Sequence, residues 1–268
     1  MSGRIEARFA TLKNAGRKAL VPFITAGDPA RDTTVPVMHA LAAAGADLIE
    51  LGVPFSDPMA DGPVIQRSSE RALARGVGTD FVFDCVRKFR QHDDVMPVVL
   101  MGYLNPVEMR GGDRYAREAI EAGVDGVLLV DLPPEEAGPL RADFSRHGLA
   151  LISLAAPTTS PDRLARLAAE AQGYVYYVSF AGVTGADRID ASDVALRVGK
   201  LRSLATVPVL IGFGIRDAVS AATMSRLADG VVVGSALVDT IASARSSDEA
   251  AELATSFLAP LRLALDTP

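Results

Sequence analysis

A helix, a glycine turn and a short apolar run recur along the 268-residue chain at roughly 25-residue spacing, the mark of a repeated supersecondary unit. The turns read AAAGAD, IEAGVD, SRHGLA, AAEAQGY and RLADGV, where Gly just past a helix accepts the left-handed backbone that redirects the chain. Strands are expected near Leu20–Thr25, Asp47–Gly52, Val98–Tyr103, Gly126–Val130, Ala150–Leu154, Val175–Ser179, Val207–Gly212 and Gly230–Val233. Strands joined through helices pair in parallel. Eight such units in about 250 residues fit an α/β fold of the closed (β/α)8 TIM-barrel type better than a doubly wound open sheet. An additional helix over Arg4–Ala15 is expected to cover the bottom of the barrel. No low-complexity linker interrupts residues 1–268, so one domain is expected.

The spacing breaks twice. About twice the usual interval separates the second and third strands, and a longer segment beginning SFAGVTGADRIDASD follows the sixth. Both long loops leave the C-terminal ends of strands, where barrels of this type place their sites. The rest of the composition narrows the field. A net charge of -6 without a Lys/Arg run disfavours nucleic acid or an anionic membrane as partner. No window reaches the ~18 apolar residues of a membrane span, and the charged N-terminus has no apolar core of a secretion signal. A soluble, cytoplasmic protein is expected. The single cysteine, Cys85, falls within the amphipathic stretch FVFDCVRKF and reads as a core residue.

Glu50 stands out because it interrupts an apolar strand near its C-terminal end. Strand alternation puts Leu48, Glu50 and Gly52 on one face. A carboxyl there would sit in an apolar barrel mouth, where desolvation raises its pKa and lets it both donate and accept protons. The competing account is a structural carboxylate neutralised by a neighbouring Arg, but the inward positions of the other strands carry no Lys or Arg. The loop that follows, VPFSDPMADGP, adds Asp57 and Asp61. Asp61 reads equally well as a second functional acid or as a cap for the helix starting near Pro63. Asp57 has the same turn reading and a weaker claim.

Three glycine-bearing loops follow the last three strands: GVTG, GFGI and VVVGSA. Such loops are the usual phosphate cradle of these barrels. None of the three contains Lys or Arg, so an anion is expected to be held by main-chain amides. Phe23, Tyr103, Tyr176 and Phe213 are expected to project inward near strand tops, forming a flat apolar pocket suited to an aromatic ring. His39, His92 and His147 lie in or at the ends of helical patterns, which leaves a histidine metal site or a Ser-His-Asp triad little support.

The segment LIELGVPFSDPMADGPVIQ, with FITAGDP, NP, DLPPEE, APTTS, GVTG, GFGI and VVVGSA, resembles the tryptophan synthase alpha chain family through every strand. The resemblance implies a lyase that cleaves indole-3-glycerol phosphate to indole and glyceraldehyde 3-phosphate by retro-aldol chemistry, with no metal or cofactor in this chain. It implies Glu50 as proton shuttle and Asp61 as the acid that hydrogen-bonds the indole N–H. It places Phe23, Ile65, Met101, Tyr103, Leu128, Val130, Leu154, Tyr176, Thr184 and Phe213 around the substrate, and Gly185, Gly214, Gly234 and Ser235 at the phosphate. Thr184 is expected to meet Asp61 when the two long loops close. The resemblance also implies a beta chain partner carrying pyridoxal phosphate, in an alpha2beta2 complex docked over the strand C-terminal face. Two positions depart from some members: Phe180 stands where they have Arg, and Met101 where they have Leu. The competing readings are another phosphate-binding barrel enzyme, a lyase that works without a partner, and a non-catalytic barrel that binds a phosphate ligand to regulate a partner.

Overall fold

A computed structural model describes residues 3–178, 191–212 and 214–267 of the chain. Eight parallel strands pair in chain order and the eighth pairs with the first, closing the barrel. They are β1 (Ala19–Thr25), β2 (Ile49–Gly52), β3 (Val98–Gly102), β4 (Gly126–Leu129), β5 (Ala150–Ala155), β6 (Val175–Val178), β7 (Val209–Gly212) and β8 (Gly230–Val233). The helices are α1 (Arg4–Asn14), α2 (Thr34–Ala43), α3 (Pro63–Leu73), α4 (Thr79–Arg90), α5 (Leu104–Arg110), α6 (Gly112–Ala122), α7 (Ala137–His147), α8 (Pro161–Ala169), α9 (Ala191–Leu204), α10 (Ala218–Ser225), α11 (Ser235–Ile241) and α12 (Ser247–Asp266). This is the (β/α)8 barrel expected from the repeat. The long interval after β2 contains a loop and two helices, α3 and α4, in place of one. The expected long loop after β6 starts at Ser179 and lies outside the described residues.

Strand alternation divides the core in two. Leu48, Val99, Leu128, Ile152, Tyr176, Leu210 and Val232 fill the barrel, while Ile49, Leu51, Leu100, Val127 and Val231 face the surrounding helices. Ile5, Phe9 and Leu12, one face of α1, join the interior cluster. Their i, i+4, i+7 spacing makes an apolar stripe, and α1 covers the barrel floor with it.

The floor is sewn together by one device used four times. Asp47, Asp125, Gln172 and Asp229 each stand just before an even-numbered strand. Each accepts a main-chain N–H from the start of the preceding odd strand: Leu20 at 2.9 Å, Val98 at 2.8 Å, Leu151 at 2.9 Å and Val209 at 2.9 Å. Strand starts in a barrel leave N–H groups that the ladder cannot satisfy, and a buried unpaired one is costly. The acids are paired in turn. Asp47 meets Arg262 of α12 at 2.9 Å and Arg8 of α1 at 3.0 Å; Asp125 meets Arg90 at 2.8 Å and Arg4 at 2.9 Å. Both the first and last helices are thereby fastened to the floor.

Four of the five glycine turns have positive φ, at Gly45, Gly123, Gly148 and Gly173. The fifth differs. Gly230 is the first residue of β8, and a Cβ there would lie 2.6 Å from the Ala19 carbonyl oxygen, so this glycine permits the closing β8–β1 contact and does not end a helix. Among the described residues no helix is long and apolar enough to cross a membrane.

Asp47→Ala would strand the buried Leu20 N–H and remove the buried one of the two carboxylates paired with Arg262, only 7% exposed, leaving it Asp266 alone. Loss of one partner of a buried ion pair costs about 3–5 kcal/mol, so urea unfolding is expected to show a drop in that range. A loss below about 1 kcal/mol would mean that the floor network carries no stability.

Candidate active site

Glu50 comes from the inward face of β2, level with Phe23 of β1 and Val99 of β3. Its side chain has no exposed surface. Oε1 accepts a hydrogen bond from the Tyr174 hydroxyl at 2.6 Å, and Oε2 has no hydrogen-bond partner. Burial pushes the carboxyl up to about 7, against the opposing pull of the Tyr174 bond. Tyr174 stays protonated, since burial and the adjacent carboxylate raise its own pKa well above the usual phenol value. Its ring lies 6.0 Å from that of Phe9, so the helix under the barrel supports the tyrosine that holds Glu50.

Asp61 sits in the loop after β2. Tyr103, just past β3, donates its hydroxyl to Asp61 Oδ2 at 3.1 Å and accepts the Ala60 N–H at 3.0 Å. The same ring stacks on Phe55 at 4.9 Å, and Gln66 of α3 donates to the Asp61 carbonyl at 2.8 Å. These contacts fasten the loop over the barrel mouth. Burial pushes Asp61 up to about 6, with the Tyr103 bond again opposing. The alternative role as a helix cap is not what the structure has: α3 begins after Gly62, without a side-chain cap. Asp57 is exposed and bonded to Ser56 Oγ at 2.6 Å.

One cavity of about 780 Å³ at the strand C-terminal ends is lined by both Glu50 and Asp61. Phe23, Ile65, Met101 and Tyr176 share its wall, as do Gly214, Gly234 and Ser235. It thus joins two acids of raised pKa, an apolar and aromatic surface, and two glycine turns. Tyr176 owes its place to Gly212, where a Cβ would fall 1.9 Å from the tyrosine hydroxyl oxygen. Ser235 opens α11, whose first amides have no side-chain cap.

Not every expected pocket residue lies on that wall. Tyr103 and Val130 line a small adjoining void of about 10 Å³ together with Phe23, Ile65, Met101 and Asp61. Leu154 and Val130 border a separate surface pocket beside Asp131–Pro134. Leu128 is buried in the barrel interior; it is two residues before Val130 on the same face and therefore one layer deeper, where it fills the core. Thr184, Gly185 and Phe213 lie outside the described residues, as does Phe180. The wall also holds Met59, Gln66, Val178, Arg216 and Val232, which sequence reasoning did not single out. Tyr174 was missed as well, although it has the inward parity of Tyr176.

Among the described residues no cluster of three or more His, Cys, Asp or Glu is arranged to hold a metal ion. Cys85 is buried in α4, where burial pushes its thiol up to about 11. His39 packs on Phe89 with ring centroids 4.6 Å apart, in the helical layer.

A family model described as tryptophan synthase alpha chain matches residues 9–261. Tryptophan synthase alpha chains from Xylella fastidiosa strain 9a5c and Xanthomonas euvesicatoria pv. vesicatoria are each 64% identical, covering 98% of both chains. Among solved structures, the tryptophan synthase alpha subunit of Legionella pneumophila superposes with a TM-score of 0.93 at 43% identity, covering 100% of each chain. A chain of the Mycobacterium tuberculosis tryptophan synthase in its aminoacrylate-bound form gives 0.87 at 32% identity, over 98% of this chain and 100% of that one. A match along nearly the whole sequence, on a barrel carrying both acids at one mouth, leaves one assignment: this chain belongs to the tryptophan synthase alpha chain family.

Proposed function

We infer that this protein cleaves indole-3-glycerol phosphate to indole and D-glyceraldehyde 3-phosphate, as the alpha subunit of tryptophan synthase. The observation that carries the reading is Glu50, a fully buried carboxyl with a pKa of about 7 on the wall of a cavity that also holds Asp61 and the glycine turns. Retro-aldol cleavage needs a proton placed on indole C3 and another taken from the side-chain hydroxyl next to the breaking bond. A carboxyl titrating near neutrality has both protonation states available and can serve as acid and then base. Its Oε2 makes no hydrogen bond within the protein, which leaves that oxygen's bonding capacity for substrate. Asp61 accepts the indole N–H and stabilises the positive charge that protonation at C3 leaves on the ring. Phe23, Met101 and Tyr176 pack the indole. Gly214, Gly234 and Ser235 take the phosphate, with Gly185 joining them and Thr184 meeting Asp61 on loop closure.

The chain needs no cofactor of its own for this chemistry, because the proton transfers use side chains alone. The released indole is consumed by a beta chain holding pyridoxal phosphate, within a cytoplasmic alpha2beta2 complex. Met59, 83% exposed at the cavity mouth, is an apolar side chain suited to that docking face. The paired acids in one cavity weigh against a purely ligand-sensing barrel.

Indole release from indole-3-glycerol phosphate, measured with and without a beta chain, is expected to be slow alone and strongly accelerated by the partner. Glu50→Gln should lower turnover by at least about 10²-fold, the usual scale for a general acid–base group; retained turnover would remove Glu50 from the mechanism.

The same variant makes a prediction about stability. Glu50 is raised from 4.5 to about 7 on folding, so its folded-state proton is favourable below pH 4.5, and this contribution is lost as pH rises through 7. Glu50→Gln should therefore unfold at higher urea than wild type at pH 8, by roughly 2–4 kcal/mol, with the advantage vanishing near pH 4. Equal offsets at both pH values would show that Glu50 is not desolvated.

A further inference from the structure

The cavity contains one feature that the glycine loops alone did not announce. Arg216, two residues beyond Gly214, is the single Lys or Arg among the described residues that line it, together with Gly214, Gly234 and Ser235. It is exposed, and no carboxylate among the described residues lies within ion-pair distance of its guanidinium. The adjacent acid is committed elsewhere: Asp217 Oδ1 caps α10, accepting the Ser220 N–H at 2.8 Å and the Ser220 hydroxyl at 2.7 Å. The main chain at Arg216 is pinned as well, its N–H donating to Ser220 Oγ at 3.1 Å. Arg71 of α3, by contrast, is bound to both oxygens of Asp28. At Arg216 the backbone is fixed and the charge is left over.

We propose that Arg216 is a side-chain anchor for the substrate's phosphate, adding a full positive charge to a cradle otherwise made of main-chain amides. The proposal rests on the reading of the cavity as an indole-3-glycerol phosphate site. Its physical motive is charge balance. A phosphate monoester carries close to two negative charges at neutral pH, and the cavity already holds two carboxyl groups, Glu50 and Asp61. Amide dipoles supply only partial charge, whereas a guanidinium matches phosphate oxygens with two parallel donors. A lone cation at the mouth also steers an anion inward, an effect that salt weakens. Because the side chain is exposed, water screens it and the gain is modest, roughly three- to tenfold in affinity.

The test compares the full-length protein with Arg216→Gln, Arg216→Lys and a charge-matched control, Arg226→Gln, at the exposed far end of α10 and off the cavity wall. Binding of inorganic phosphate and of indole is titrated separately, and indole-3-glycerol phosphate turnover is measured with the beta chain present. Arg216→Gln is expected to weaken phosphate binding and raise KM by the same three- to tenfold, to leave kcat and indole binding unchanged, and to flatten the salt dependence of KM. Arg216→Lys should recover part of the loss, and Arg226→Gln should match wild type. A change in phosphate affinity smaller than threefold, or an equal loss of indole binding, overturns the proposal. If wild type binds phosphate through Arg216 yet releases no indole, the lyase reading fails while the anchor stands; if it releases indole and Arg216→Gln does so with unchanged KM, the reverse holds.

Discussion

The site depends on keeping a carboxyl group dry inside a closed barrel. Glu50 is wholly buried, with one hydrogen bond to one of its oxygens. Desolvation outweighs that bond and brings the group to about 7. In water the same side chain would be ionised at neutral pH and useless as a proton donor. The shift therefore belongs to the barrel. It requires a ring of apolar neighbours and a strand that ends just past Glu50. Tyr174 and Phe9 provide the link from floor to site: α1 closes the bottom with Phe9, Phe9 packs near Tyr174, and Tyr174 orients Glu50.

The two ends of the barrel have different tasks. At the N-terminal end, side chains from Asp47, Asp125, Gln172 and Asp229 satisfy strand starts and tie down the first and last helices. At the C-terminal end the strands stop short, and the loops carry what remains of the site. The Tyr103 hydroxyl is the hinge of that arrangement, donating to Asp61 while accepting from Ala60. A lower end that holds the barrel together and an upper end that carries the site are the division of labour expected of this fold.

Much of this was legible in the sequence, and the failures have physical causes. The helix–glycine–strand repeat was enough for the barrel because each unit uses the same turn chemistry. Glu50 was visible because a carboxylate in an apolar strand has few innocuous explanations. The floor network was in plain view in the same quoted turns, GAD, GVD, AQG and ADG, but attention to glycine hid the Asp and Gln beside it. Gly230 misled for a related reason: a glycine after a helix can serve close packing as well as a turn, and only the distance to Ala19 separates the two uses. Leu128 and Leu154 are expected at the pocket by resemblance alone; in the structure Leu128 is buried in the barrel interior and Leu154 borders the pocket beside Asp131–Pro134, a depth along the strand that parity does not encode. Tyr174 escaped because its hydroxyl acts at a distance of 124 residues along the chain. Arg216 lay one residue beyond the quoted glycine motif.

The most direct test is a titration of Glu50 itself in the free protein, by carbon-13 NMR of labelled glutamate side chains with Glu50→Gln identifying the resonance. The account predicts a carboxyl that changes protonation near pH 7. A Glu50 resonance titrating at about 4.5, the ordinary value, would contradict it: the barrel would then hold an ionised structural carboxylate, and the proton shuttle would have to be sought elsewhere in the cavity.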